Sequence, residues 1–149
     1  MRDQISAALK TAMHARNKCE TNTLRLITAA IKDRDIMDRK GGDGRTTDEE
    51  ILDVLAKMVK QREESARVYE GAGRLELAEQ EREEISIIQR FLPTQLDAEA
   101  TKTACENAIS NCGAEGLRDM GKVMGVLKGE YPGQMDFGKA SCIVKELLG

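Results

Sequence analysis

Residues 47–92 contain two long helical patterns joined only by the short turn Gly71-Ala72-Gly73. The first pattern opens with a capping box. In it the Thr47 hydroxyl can accept a hydrogen bond from the third helical amide, and the Glu50 side chain can accept one from the Thr47 amide. A seam then recurs at alternating steps of four and three, through Ile51, Leu55, Met58, Arg62, Ser65 and Tyr69. The second pattern is stopped by Pro93. Because the connection is so short, the sequence predicts an antiparallel helical hairpin.

The composition extends this prediction to the whole chain. Its 149 residues include only two prolines, four aromatic side chains and 33% charged residues, with no tryptophan. The apolar positions recur at helical spacing in nearly every segment. We therefore predict an all-α fold, with a long helical hairpin region followed by a small three-helix domain.

The segment Pro93-Thr94-Gln95 is the predicted junction between two domains. An N-terminal helical hairpin domain would span residues 1–95, and a C-terminal three-helix domain would span residues 96–149. Within the first domain, a helix from about residue 23 is expected to reach Arg39 and to end at Gly41-Gly42-Asp43-Gly44.

Three short helices are predicted in the second domain. Asp97 is a suitable cap for the first of them, which Gly113 ends. Asp136 is a suitable cap for the last, on which Ile143, Leu147 and Ala140 are expected to face inward.

No motif in the sequence indicates a catalytic or metal centre. The four cysteines form no C-x-x-C pair and His14 is the only histidine, so no metal and no cofactor is predicted. The run from Gly116 to Val123 departs from the phosphate-loop pattern, because Val123 has no hydroxyl for Mg²⁺ and no strand precedes it. No signal-peptide core or membrane-spanning run is present, which predicts a cytoplasmic protein without a membrane partner.

Residues 118–129 form the most unusual helical pattern of the chain. Met120, Val123, Met124 and Leu127 fall on one side at the spacing of a buried stripe. The opposite side holds glycines and cations, namely Arg118, Gly121, Lys122, Gly125, Lys128 and Gly129. A glycine inside a helix costs about 1 kcal/mol relative to alanine. Such glycines beside cations indicate a bare helix surface that an anionic partner can approach closely.

Several runs of residues resemble the GatB/YqeY-like family. They follow one another in the family's order over nearly the full length of this chain. They are Leu24-Arg25-Leu26, Ala30-Ile31-Lys32, Lys60-Gln61-Arg62-Glu63-Glu64-Ser65, Ala72-Gly73-Arg74, Phe91-Leu92-Pro93-Thr94-Gln95-Leu96 and Asp119-Met120-Gly121-Lys122-Val123-Met124-Gly125, with Gly133 and Asp136 downstream. Proteins of this family are similar to the C-terminal tail of the B subunit of tRNA-dependent amidotransferase.

The resemblance implies an all-α fold and a module that grips the outer corner of tRNA. It also brings the family label of a carbon–nitrogen ligase with glutamine as amide donor. This chain has neither the catalytic cradle of the B subunit nor an amidase domain, so it is not expected to catalyse amide transfer alone. Amide transfer by the isolated chain is therefore the last-ranked of the functions considered.

Pattern and resemblance together predict a nucleic-acid-binding surface in the second domain. Its predicted residues are Arg118, Gly121, Lys122, Gly125, Lys128, Gly133 and Lys139. Contacts of this kind would read the shape of tRNA rather than its sequence, and their small number predicts weak binding.

Two alternatives remain open at this point. The glycine face could instead pack tightly against a neighbouring helix, as small residues permit. The chain could also be a protein-interaction module that docks through the hairpin 47–92 on an amidotransferase subunit or another translation protein. The net charge of −3 and the scarcity of aromatic residues weigh against nucleic-acid binding.

Overall fold

The structure is a computed structural model that describes residues 1–38 and 45–149. The described residues form seven α-helices, a short 3₁₀ turn and no strand, which confirms the all-α prediction. The helices are α1 (Arg2–His14), α2 (Lys18–Asp38), α3 (Asp48–Gly71), α4 (Leu75–Gln89), α5 (Ala98–Cys112), α6 (Met120–Glu130) and α7 (Phe137–Leu148), with the 3₁₀ turn at Leu117–Asp119. The predicted end of the second helix, at Arg39 and Gly41-Gly42-Asp43-Gly44, lies outside the described residues.

The chain divides into two compact units, Met1–Leu92 and Pro93–Gly149. The segment before α5 belongs to the second unit. The side-chain amide of Gln95 donates to the carbonyl oxygen of Gly133 at 2.5 Å, and the Leu96 amide donates to the Gln134 carbonyl at 2.8 Å.

The first unit is built on α3 and α4, which pack against each other and against α2, while α1 packs on α2. The capping box at the start of α3 is present, with the Glu50 amide donating to Thr47 Oγ1 at 3.3 Å and the Thr47 amide donating to Glu50 Oε2 at 2.8 Å. The core of this unit is aliphatic and includes Leu24, Ile27, Leu55 and Ile88, all fully buried. The capping box confirms the predicted start of α3.

The seam predicted along α3 is only half correct. Ile51, Leu55 and Met58 are buried as expected, but beyond Arg62 the buried position on α3 is Ala66. Tyr69, the last member of the predicted seam, is only half-buried. α4 still covers α3 in this stretch, but the buried position shifts from Ser65 to the neighbouring Ala66, and the spacing along α3 does not show this shift.

The second unit packs α5, α6 and α7 around one small core. The predicted caps are present: Asp97 Oδ1 accepts from the Ala100 amide at 2.7 Å, and Asp136 Oδ1 accepts from the Gly138 amide at 2.9 Å. Gly113 ends α5 in the left-handed conformation, with φ of 65°.

The inward prediction for Leu147 is wrong, since this side chain is 41% exposed, and Ile143 is only half-buried. Ala140 and Val144 are the fully buried residues of α7. Together with the half-buried Leu148 they form the apolar stripe of α7, at steps of four residues. Leu147 lies beside this stripe and is therefore exposed. None of the helices in residues 1–38 and 45–149 is both long and apolar enough to cross a membrane.

Candidate nucleic-acid interface

Helix α6 has one face in the core of the second unit. Val123 and Leu127 are fully buried, and Met120 and Met124 are half-buried against the same cluster. The side of α6 predicted to be buried is therefore buried. This packing fixes the rotation of the helix and so determines which residues its opposite side presents to solvent.

The opposite side of α6 is bare. Gly121, Gly125 and Gly129 are exposed and follow one another at steps of four. A side-chain carbon added to any of them would meet no described atom within 4 Å outside its own stretch of helix. The alternative that this face packs tightly against a neighbouring helix is therefore wrong. Gly129 was not among the predicted contacts, although its spacing from Gly125 signals the same face.

The exposed cations flank this glycine face. Lys122 is three-quarters exposed, and Lys128 is exposed in the last turn of α6. Arg118 is also exposed, but it lies in the 3₁₀ turn before α6, not on the helix where the pattern placed it. The predicted helix begins two residues too early, because the 3₁₀ turn runs directly into α6 at Met120.

Asp119 organises the entry to this surface. Its Oδ2 atom accepts a hydrogen bond from the Glu115 amide at 3.1 Å, and its Oδ1 atom lies 3.9 Å from Lys122 Nζ. The hydrogen bond from the Glu115 amide is the main cause that lowers the pKa of the Asp119 carboxyl, with smaller contributions from the charges of Lys122 and Arg118. Asp119 therefore holds the 3₁₀ turn as a charged group and places one negative charge beside Lys122.

Gly133 does not belong to the exposed surface. It is buried, its φ is +70°, and its carbonyl accepts the hydrogen bond from Gln95. Its backbone conformation, which other residues adopt only with strain, accounts for the glycine. This corrects its prediction as a contact residue. Lys139 is exposed on α7, the helix that packs beside α6.

The structure offers little support for a metal or thiol centre. Among residues 1–38 and 45–149, no group of three or more His, Cys, Asp or Glu side chains is placed to hold a metal ion. The four cysteines are free thiols, and burial raises the pKa of the Cys105 thiol. The arrangement around α6 can bind an anion through backbone approach and cationic side chains.

The chain matches one protein-family model and is similar in sequence to several known proteins. The model of the family described as Yqey-like protein matches residues 2–148. A protein named "Altered inheritance of mitochondria protein 41, mitochondrial" from Clavispora lusitaniae is 42% identical over 98 residues, which cover 64% of this chain and 55% of the relative. The protein of the same name from Meyerozyma guilliermondii is 35% identical over 130 residues, 85% of this chain and 65% of the relative.

The match to the protein of that name from Pyrenophora tritici-repentis extends over more of the chain. It is 29% identical over 150 residues, which cover 98% of this chain and 80% of the relative. The chain thus spans less than two thirds of the length of the first two relatives.

Proposed function

This chain belongs to the Yqey-like family, and on that premise we propose that it is a tRNA-binding accessory module without catalysis of its own. The proposal follows the resemblance of the family to the tail of the B subunit of tRNA-dependent amidotransferase. The observation that carries it is the open glycine face of α6, flanked by exposed cations.

The glycine face suits an RNA backbone for a steric reason. At Gly121, Gly125 and Gly129 no side-chain carbon separates a partner from the helix, so a sugar–phosphate chain can lie against the peptide groups. Lys122 and Lys128 reach outward on either side and can contact phosphate oxygens, with Arg118 at the entry and Lys139 on the neighbouring helix. Such contacts position an RNA by its shape and carry no sequence readout of their own.

The number of contacts limits the affinity. Three or four phosphate contacts release few counterions, and the described surface of α6 offers no aromatic platform for a base. We therefore expect weak binding by the isolated chain and stronger binding where a partner holds the chain near its tRNA. An amidotransferase or another translation protein would be such a partner.

The direct experiment is a titration of total tRNA against the wild-type chain at about 50 and about 200 mM salt. The variant Gly125→Ala should weaken binding, because its methyl group separates the helix from the RNA backbone. Gly71→Ala is the matched control, since Gly71 is also an exposed helical glycine with open space around it, but lies on α3. Unchanged binding by Gly125→Ala, or an affinity independent of salt, would contradict the proposal.

The alternative function, protein docking through the hairpin 47–92, uses different residues. One observation favours it: three large aliphatic side chains lie exposed around the turn between α3 and α4. Docking there and tRNA binding on α6 would use surfaces in separate units, so either function can be tested with the other left intact.

The compartment is a separate part of the proposal. The sequence predicts a cytoplasmic protein, whereas the three relatives described above are named as mitochondrial. The proposed function requires only a compartment that contains tRNA, and both the cytoplasm and the mitochondrion contain it. Fractionation of cells that express the tagged chain distinguishes the two locations.

A further inference from the structure

One residue fastens the turn that leads into α6. Asp119 Oδ2 accepts a hydrogen bond from the Glu115 amide at 3.1 Å, and the Asp119 amide donates to the Gly116 carbonyl at 3.0 Å. These two bonds tie the end of the 3₁₀ turn back to the segment before it. Because Arg118 belongs to this turn, Asp119 fixes the position of the Arg118 backbone at the start of α6.

The same carboxylate faces Lys122. Asp119 Oδ1 lies 3.9 Å from Lys122 Nζ, and the Asp119 side chain is 22% exposed whereas that of Lys122 is 76% exposed. The carboxylate is therefore held by the turn, while the ammonium group stands in water on a long side chain. So exposed an ion pair adds little to stability. Its larger consequence is for an incoming anion, because a phosphate on Lys122 comes within the screening length, about 10 Å, of a fixed negative charge.

This negative charge is present at neutral pH. The hydrogen bond from the Glu115 amide is the main cause that lowers the pKa of the Asp119 carboxyl, and the charge of Lys122 lowers it further. A phosphate chain on the glycine face therefore meets a carboxylate among the cations. The hydrogen bonds of Asp119 and its charge should affect such a chain in opposite directions.

We propose that Asp119 is a positioning residue for RNA with two opposing actions. Its hydrogen bonds hold Arg118 where it can contact a phosphate, which favours binding. Its charge beside Lys122 repels the phosphate chain, which limits the affinity. This inference rests on the proposed function, since it takes RNA as the anion bound on α6.

The test is a titration of total tRNA against the full chain and three variants, at about 50 and about 200 mM salt. Asp119→Asn removes the charge but keeps an acceptor oxygen for the Glu115 amide, although a weaker one. Asp119→Ala removes both the charge and the acceptor. Glu130→Gln is the matched control, because it removes the same charge from an exposed residue at the other end of α6.

Asp119→Asn should bind tRNA about three- to tenfold more tightly than the wild type at the lower salt concentration, and the gain should shrink at the higher one. Asp119→Ala should bind more weakly than Asp119→Asn, because the turn no longer holds Arg118. Glu130→Gln should stay within about twofold of the wild type, since its charge lies more than a turn beyond the cations at the start of α6. Hydrogen exchange of the Glu115 amide should be faster in Asp119→Ala than in Asp119→Asn.

The outcomes separate this inference from the proposed function. If the wild-type chain binds tRNA but Asp119→Asn brings no gain, the limiting role of the charge is wrong and the proposed function stands. Equal binding by Asp119→Asn and Asp119→Ala would overturn the positioning role in the same way. An equal gain in Glu130→Gln would show that only the net charge matters. A wild-type chain that binds no tRNA would overturn the proposed function and this inference with it.

Discussion

The glycine face of α6 and the distal half of the hairpin, residues 62–84, are two regions in which the chain departs from what stability alone favours. On α6, three glycines occupy exposed positions of a helix, where each costs about 1 kcal/mol relative to alanine. In the distal hairpin, Val68, Leu75 and Leu77 are exposed to water, and the buried residues are Ala66 and Ala78. The two regions differ in charge: cations flank the first and carboxylates predominate in the second.

This difference shows why the net charge is a poor guide to partners in this chain. A value of −3 argues against nucleic acid only if the charge is spread evenly. Here the acidic residues concentrate on the distal hairpin, while Arg118, Lys122 and Lys128 remain beside the glycines. Each surface is therefore judged by its own charges, and each can be changed without touching the other.

The largest expected effect concerns the buried side of α6. Leu127→Ala should destabilise the second unit by about 2–5 kcal/mol, because Leu127 is fully buried and its removal leaves a cavity. Leu147→Ala is the matched control and should change stability little, since Leu147 is 41% exposed in the same unit. Amide hydrogen exchange of α5–α7 measures both. Equal losses for the two variants would contradict the rotation of α6 and α7 described here.

The second-largest effect tests whether the cations beside the glycine face matter more for tRNA binding than lysines elsewhere on the chain. Replacement of Arg118, Lys122 and Lys128 by glutamine should weaken tRNA binding about 100-fold at low salt. It should also reduce the log–log salt slope by about 2 to 3, since each phosphate contact contributes roughly 0.7–0.9. The matched control replaces Lys10, Lys32 and Lys57, which are exposed on the first unit. If the two triple variants bind alike, the cations beside the glycine face have no special role.

Much of the second unit could be predicted from the sequence because its signals are local. The caps at Asp97 and Asp136, the glycine that ends α5 and the two sides of α6 all depend on neighbouring residues. The sequence does not show whether the glycine face is exposed, because spacing shows that residues share a side but not what covers that side.

The first unit shows the opposite case. The seam on α3 was predicted to continue through Ser65 and Tyr69, yet Ala66 is the buried residue there. Which residues are covered depends on how α2 and α4 pack against α3, and the spacing along α3 does not show that packing. For the same reason the sequence does not predict the exposure of Val68 and Leu75: both are residue types typical of a core, and only the packing shows that nothing in the described chain covers them.

Overpacking tests the burial of Ala78 in the distal hairpin, residues 62–84. Ala78→Leu should destabilise the distal hairpin by about 1–3 kcal/mol, because Ala78 is fully buried and has no room for a larger side chain. Gln80→Leu, at an exposed position of α4, introduces the same side chain without this conflict. Urea unfolding followed by hydrogen exchange of α3 and α4 measures the difference. A neutral Ala78→Leu would mean that the two helices lie further apart than described.

A smaller effect of opposite sign is expected on the glycine face. Gly125→Ala should stabilise α6 by about 0.5–1 kcal/mol, because alanine favours the helix and its methyl group meets open space. The same variant should weaken tRNA binding, so stability and function should change in opposite directions. Thermal unfolding and the tRNA titration on one sample measure both. A loss of stability would show that another group covers this face.

The smallest effect is the response of the two units to acid. The lowered pKa of Asp119 means that its contribution to stability is present above the ordinary carboxyl pKa of 3.8 and is lost as the pH falls through the lower folded value. The pKa of Glu50 is also lowered, chiefly by the hydrogen bond from the Thr47 amide, so the first unit should respond with the same sign. Asp119→Asn and Glu50→Gln should therefore each destabilise their unit at neutral pH and approach the wild type as the solution is acidified. Carboxyl carbon titrations by NMR check each group directly. An Asp119 pKa at or above 3.8 would mean that the Glu115 amide does not donate to it in solution, and that the entry to the glycine face is held in another way.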